Sequence, residues 1–174
     1  AVFETTDSNI SGRIGASFKP NPDTNIFGSY SRGYKPPAVG TNPAGALFQL
    51  EPETSDAVEL GVKSRVGRVQ LSANAFYTKL ENFQSQTSVF VGTALVSQPL
   101  NIPKLTSKGF ELSAFGQLFS GFNVNAGYQF NSFKFPTGYL GDDGGNLGGT
   151  QFLNAPKHKF TLSAEYAVPV SSSL

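Results

Sequence analysis

Between Phe122 and Phe130 every second residue is apolar: Phe122, Val124, Ala126, Tyr128 and Phe130 alternate with Asn123, Asn125, Gly127 and Gln129. A period of two sends successive side chains to opposite faces of a β-strand, so this segment has one oily face and one polar face. The alternation recurs along the chain. Ile10, Ile14, Ala16 and Phe18 alternate with Ser11, Arg13, Gly15 and Ser17, and Val58, Leu60 and Val62 alternate with Glu59, Gly61 and Lys63. Val69, Leu71, Ala73, Ala75 and Tyr77 are interleaved with Gln70, Ser72, Asn74 and Thr78. Phe110, Leu112, Ala114 and Leu118 are interleaved with Glu111, Ser113 and Gln117, and Phe160, Leu162, Ala164, Tyr166 and Val168 with Thr161, Ser163 and Glu165. Asn25 to Arg32 reads as one more strand, in which Phe27 falls among the polar positions. The pattern predicts about seven long strands. They belong to the class of tilted bilayer-crossing strands, about 9 to 11 residues, rather than to soluble strands of about 5 to 6.

The connections sort into two kinds. Lys19 to Thr24, Val66 to Arg68 and Leu118 to Gly121 are tight enough for antiparallel hairpins. Between them lie Gly33 to Glu53, Asn82 to Lys104 and Pro136 to Ala155, each roughly twenty residues without helical periodicity and therefore expected as long loops. In an up-and-down meander, strict alternation of short and long connections puts all tight turns at one end and all long loops at the other. The predicted fold is thus all-β, an antiparallel meander forming part of a transmembrane β-barrel. Tyr77, Tyr128, Phe130 and Tyr166 stand toward the ends of the oily faces, as an aromatic girdle requires.

Composition narrows the function classes. Thirteen basic residues against twelve acidic ones imply no broad attraction to nucleic acid. The absence of Cys excludes disulfides, a thiolate nucleophile and zinc–thiolate sites, and no run approaches the length of a membrane helix. The single His, His158, supplies neither a metal cluster nor a base with its orienter. Asp142, Asp143 and Asn146 lack the oxygen spacing of a calcium loop and read as a solvated turn. No catalytic set, metal site or cofactor is expected. A passive porin shares the alternation, and a soluble β-sandwich would bury the same oily faces against each other.

Four segments carry a family resemblance: FGSYSRGYKPPAV (Phe27 to Val39), LEPETSDAVELGVKSR (Leu50 to Arg65) running into VQLSANAFYTKLENFQSQ, SKGFELSAF (Ser107 to Phe115) and LNAPKHKFTLSAEY (Leu153 to Tyr166). In this order they resemble the TonB-dependent outer-membrane receptors. The resemblance implies residues 1 to 174 as a partial receptor barrel, with the plug domain, the TonB-contacting box and the closing strands outside them. It further implies a Gram-negative outer membrane, lipid and lipopolysaccharide as surroundings, and active uptake of a scarce nutrient such as an iron–siderophore, cobalamin or a glycan. Energy would come from TonB–ExbB–ExbD through the N-terminal part.

Site residues follow from the alternation and the resemblance together. Arg13, Glu59, Lys63, Asn74, Glu111, Asn125, Lys159 and Glu165 are expected to face the lumen. Ile14, Val58, Leu60, Leu71, Leu112, Val124, Tyr128, Leu162 and Tyr166 are expected to face lipid. Arg32, Tyr34 and Lys35, where a strand becomes an outer loop, are candidates for meeting an anionic or catecholate ligand; a structural alternative for Arg32 and Lys35 is snorkelling at the interface or contact with lipopolysaccharide.

Overall fold

The computed structural model describes residues 8–141 and 144–168. Its elements are strands: β1 (Gly12–Asn21), β2 (Thr24–Lys35), β3 (Val39–Thr41), β4 (Leu47–Gln49), β5 (Glu53–Val66), β6 (Val69–Val91), β7 (Ala94–Phe119), β8 (Phe122–Lys134) and β9 (His158–Tyr166). Seven of them form one sheet in the order β1-β2-β5-β6-β7-β8-β9, and every neighbouring pair is antiparallel. β3 and β4 make a separate small hairpin in the connection between β2 and β5. Local sequence explains the joints. β5 turns into β6 through Gly67 and Arg68, flanked by the Val66–Val69 pair, with Gly67 at φ +61° as a two-residue hairpin demands.

One expectation requires correction. Asn82 to Lys104 is not a structureless loop: β6 and β7 continue upward as a paired ladder from Phe83–Ile102 to Val91–Ala94, closed by Gly92 (φ +62°) and Thr93. Both faces of this extension carry polar residues, among them Gln84, Ser85, Gln86, Thr87 and Ser88. Only Phe83, Leu100 and Ile102 near its base are packed, and the strands above them show no sustained alternation, so periodicity could not reveal it. Its β-branched and aromatic content (Thr87, Val89, Phe90, Val91) was the remaining strand signal. The loop from Gly33 to Glu53 likewise holds the β3–β4 hairpin, and strand β2 runs on to Lys35.

Register divides the sheet into two faces, because directly paired residues share a side. One row on the oily face reads Ile14, Tyr30, Val58, Tyr77. The row two residues further toward the tight turns reads Ala16, Gly28, Leu60, Ala75, Phe110, Phe130, and the next Phe18, Ile26, Val62, Ala73, Leu112, Tyr128, Phe160. On β1 the oily band runs from Ile14 to Phe18; on β9 it runs from Phe160 to Tyr166, lower by two rows at the loop edge and three at the turn edge. At about 3.3 Å per residue along strands and about 4.8 Å between them, that drift over the sheet inclines the band by roughly 25 to 35°. An apolar belt running obliquely to its strands is what a horizontal membrane leaves on tilted strands.

Among the described residues nothing covers the band. Leu60 and Leu162 are each 62% exposed and Phe160 67%, and the described residues form no second layer over the sheet, unlike a sandwich. Among the described residues the buried apolar side chains are Leu50, Ile102, Leu105 and Phe135, all at the loop end. Aromatic rings gather at both edges of the band. Phe110 stacks on Phe130 at 5.7 Å near the loop edge, and Phe119 on Phe122 at 4.8 Å near the turn edge.

Phe27, the residue out of pattern, pairs with Gly61, and a Cβ on Gly61 would lie on the Phe27 ring and 2.9 Å from the Asn74 Cβ. Phe76 pairs in the same way with Gly109, where a Cβ would overlap the Phe130 carbonyl and stand 3.0 Å from Phe76 Cζ. Each ring fills the gap that its glycine leaves on the polar face. Gly109→Val in the complete protein should therefore cost about 1 to 3 kcal/mol, read as a lower urea midpoint; an unchanged midpoint would mean that the backbone at this position can yield.

Candidate functional site

The polar face carries one hydrogen-bonded chain across six neighbouring strands. Arg13 Nη2 donates to Ser29 Oγ at 3.0 Å and stands 3.7 Å from Glu59 Oε2. Asn74 Nδ2 donates to Glu59 Oε1 at 3.2 Å and to Glu111 Oε2 at 3.5 Å, and Gln129 Nε2 donates to Glu111 Oε1 at 2.6 Å. Each carboxylate thus has donors from the next strand, which makes a half-buried charge tolerable. Lys63 lies over the Phe27 ring, its Nζ 5.4 Å from the centroid, and Lys159 pairs in register with Gln129. Asn125 pairs with Phe115 and Ser163, and Glu165 with Asn123, on the same face near the tight turns. A cavity of 430 Å³ opens along this face between Arg13, Glu59, Asn74, Glu111 and Gln129.

All eight residues expected to face the lumen therefore share one side of the sheet. The nine expected to face lipid share the other. Arg32, Tyr34 and Lys35 are not brought together. Arg32 and Tyr34 stand on the oily side beyond the band, and Lys35 stands on the polar side opposite Glu53. Arg32 Nη1 reaches both oxygens of its register partner Asp56, at 3.1 and 3.3 Å, and the Tyr30 hydroxyl donates to the same carboxylate. Its guanidinium is engaged within the wall.

The loop end is tied together by amides. Gln84 Nε2 donates to the carbonyls of Pro36 (2.8 Å) and Glu51 (3.1 Å), its backbone N–H donates to Glu53 Oε2 (2.9 Å), and Asn101 Oδ1 accepts from the Glu51 N–H (2.8 Å). Gln151 Nε2 holds the carbonyls of Asn131 and Ala155. Phe152 packs against Phe83, Phe133 and Phe135, and Phe135 stacks on Tyr139 at 5.0 Å. Between this aromatic cluster and the β6–β7 extension lies a cavity of 350 Å³ lined by Ser85, Gln86, Leu100, Phe135, Tyr139 and Leu153, among others. Sequence reasoning missed it; the signal was the spacing of Phe133, Phe135, Tyr139 and Phe152 around the loop. Among the described residues no three His, Cys, Asp or Glu side chains gather in metal-binding geometry. His158 accepts or donates through Nδ1 to the Tyr128 hydroxyl at 2.9 Å on the oily face. Asn146 Oδ1 accepts from the Gly148 N–H, and Asp142 and Asp143 lie outside the described residues.

The family model for TonB dependent receptor-like β-barrels matches residues 1–172. The chain belongs to the TonB-dependent receptor family. A probable TonB-dependent receptor of Bordetella pertussis, BfrD, is 28% identical over 167 residues, covering 92% of this chain and 21% of that protein. The metal-pseudopaline receptor CntO of Pseudomonas aeruginosa is 30% identical over 159 residues, covering 88% and 20%. The ferric yersiniabactin uptake receptor FyuA of Yersinia pestis superimposes with a TM-score of 0.71 at 20% identity, covering 92% of this chain and 23% of that structure, a likeness of fold. The chain spans about a fifth of the length of these receptors.

The loop-end ties have a measurable consequence. Gln84→Ala in the full-length receptor should release the 36–51 segment by about 1 to 3 kcal/mol of local stability. Protease added to the purified receptor should then cut this segment faster, and an unchanged cleavage rate would show that Gln84 does not hold the loop.

Proposed function

We propose that this chain forms part of the wall of an active outer-membrane transporter for a scarce metal chelate, an iron–siderophore or a similar small molecule. The observation that carries the reading is the oblique, uncovered apolar band. Lipid covers it, and the opposite chain from Arg13 through Glu59, Asn74 and Glu111 to Gln129 lines a wet lumen. A dry interior would leave those amides and carboxylates short of partners at about 1 to 3 kcal/mol each. Among the described residues, the outer backbone edges of β1 and β9 pair with no other strand. In hydrocarbon such edges are costly, so the wall closes through further strands of a longer receptor.

The chelates named for the relatives favour a metal cargo, and family membership favours coupling to TonB–ExbB–ExbD over passive diffusion. The segments 36 to 52, 135 to 141 and 144 to 157, with the β6–β7 extension, stand on the outer side, where the aromatic cavity beside Phe135 and Tyr139 gives a planar chelate a surface to stack on. The polar-face chain runs across the strands at one level of the wall, between that mouth and the tight turns at the periplasmic side.

Two measurements on the full-length protein follow. Leu112→Arg and Val124→Arg should each cost roughly 2 to 4 kcal/mol of barrel stability if near the membrane midplane; a cost near zero at both positions would remove lipid from the oily face. Uptake of radiolabelled iron as its chelates, in a host without other receptors, should require TonB. Undiminished uptake in a TonB-deficient host would make the barrel a passive channel.

A further inference from the structure

The outer segments of this chain are almost free of charge. Pro36 to Leu50 and Asn82 to Pro103 contain no charged residue, and Phe135 to Ala155 contains two acids, Asp142 and Asp143, and no base. All thirteen Lys and Arg residues lie elsewhere. At the loop end, register places Lys104 and Lys134 on the oily side of the sheet, in the rows around Thr106. Lys35, on the polar side, stands opposite Glu53.

The 350 Å³ cavity opens among these uncharged segments. It belongs to the lumen side of the wall: Leu80, Leu105 and Phe133 are on the polar face by register, and they pack in one cluster with Phe135, Tyr139 and Phe152. Among the described residues its lining holds no charged side chain. One wall offers hydroxyls and an amide, from Ser85, Gln86, Thr87 and Ser88 of β6; the other is aromatic and aliphatic, with Phe135, Tyr139 and Phe152. The hydroxyls of Ser85, Thr87 and Ser88 are engaged by no other side chain among the described residues.

These two walls decide the charge of what can enter. A charged occupant gives up its hydration and meets no opposite charge in return, which is costly. The faces of the rings carry the negative side of the aromatic quadrupole and oppose an anion in particular. An uncharged occupant with oxygen acceptors satisfies both walls, taking hydroxyl protons on one side and ring contact on the other. Among iron chelates the distinction is chemical. Three singly deprotonated hydroxamates cancel the charge of Fe(III), whereas three doubly deprotonated catecholates leave the complex an anion.

We propose that this cavity selects an uncharged ferric trihydroxamate and discriminates against anionic ferric catecholates. The proposal rests on the reading of the chain as part of a metal-chelate transporter and adds the charge class of the cargo. It also reverses the expectation of an anionic ligand at Arg32, whose guanidinium is held by Asp56.

The test measures binding of radiolabelled ferrichrome, an uncharged ferric trihydroxamate, and of ferric enterobactin, an anionic tris-catecholate, to the purified full-length receptor. Ferrichrome should bind at least about tenfold more tightly. Thr87→Lys, which brings an ammonium group to the hydroxyl wall, should shift the ratio of affinities about tenfold toward ferric enterobactin. Ser88→Lys serves where Thr87→Lys fails to assemble. Thr93→Lys, at the hairpin tip, adds the same charge away from the cavity and should leave the ratio unchanged. Ferric enterobactin binding as tightly as ferrichrome would overturn the charge selection while leaving the metal-chelate reading in place. An unchanged ratio in Thr87→Lys and Ser88→Lys, or an equal shift in Thr93→Lys, would overturn the assignment to this cavity. Binding of neither chelate would overturn the proposal together with the metal-chelate reading on which it rests.

Discussion

Antiparallel pairing held in register over seven strands is the constraint from which the other properties of this chain derive. Each strand has a side-chain period of two, so a slip of one residue in any ladder would send Leu60 to the polar side and Glu59 to the oily side. Direct pairing of Val58 with Tyr30 and Tyr77, and of Glu111 with Asn74 and Gln129, keeps the two chemistries apart from strand to strand. The separation is also what makes the drift of the oily band visible. Flat pairing without drift would give a belt square to the strands and no sign of tilt. The observed incline links local register to the geometry of a closed, tilted wall.

Register also settles questions that single residues leave open. Phe27 and Phe76 look misplaced on a polar face until their partners are seen to be Gly61 and Gly109. Arg32 and Lys35 look like neighbours in a binding motif, yet they stand on opposite sides of the sheet, and Arg32 is engaged by Asp56. The charged rows beyond the oily band arise in the same way. Lys79, Lys134 and the β7 residues Lys104 and Lys108 come from three strands and stand around Thr106 because those strands pair there.

Much of this was legible in the sequence where one face had to differ from the other. The seven strands of the sheet, the tight turns near Gly67 and Gly121, and the membership of each face followed from alternation. The β6–β7 extension was not legible, because above Phe83, Leu100 and Ile102 both of its faces mix polar and apolar residues and leave no period to read. The aromatic cluster of Phe83, Phe133, Phe135, Tyr139 and Phe152 was also hidden, since its members come from the extension, the end of β8 and a loop whose meeting depends on tertiary folding. The family resemblance supplied what periodicity alone could not, the choice between lipid and a second protein layer as the cover of the oily face.

That choice is open to direct measurement on β8. With no cysteine in this segment to interfere, single cysteines from Phe122 to Phe130 in the full-length receptor can be spin-labelled in bilayers and probed with oxygen and a water-soluble nickel chelate. Positions 122, 124, 126, 128 and 130 should favour oxygen, and 123, 125, 127 and 129 the nickel reagent, in strict alternation. Uniform access to the nickel reagent, or shielding of the even-numbered positions from both probes, would mean that water or protein, and not lipid, covers this face.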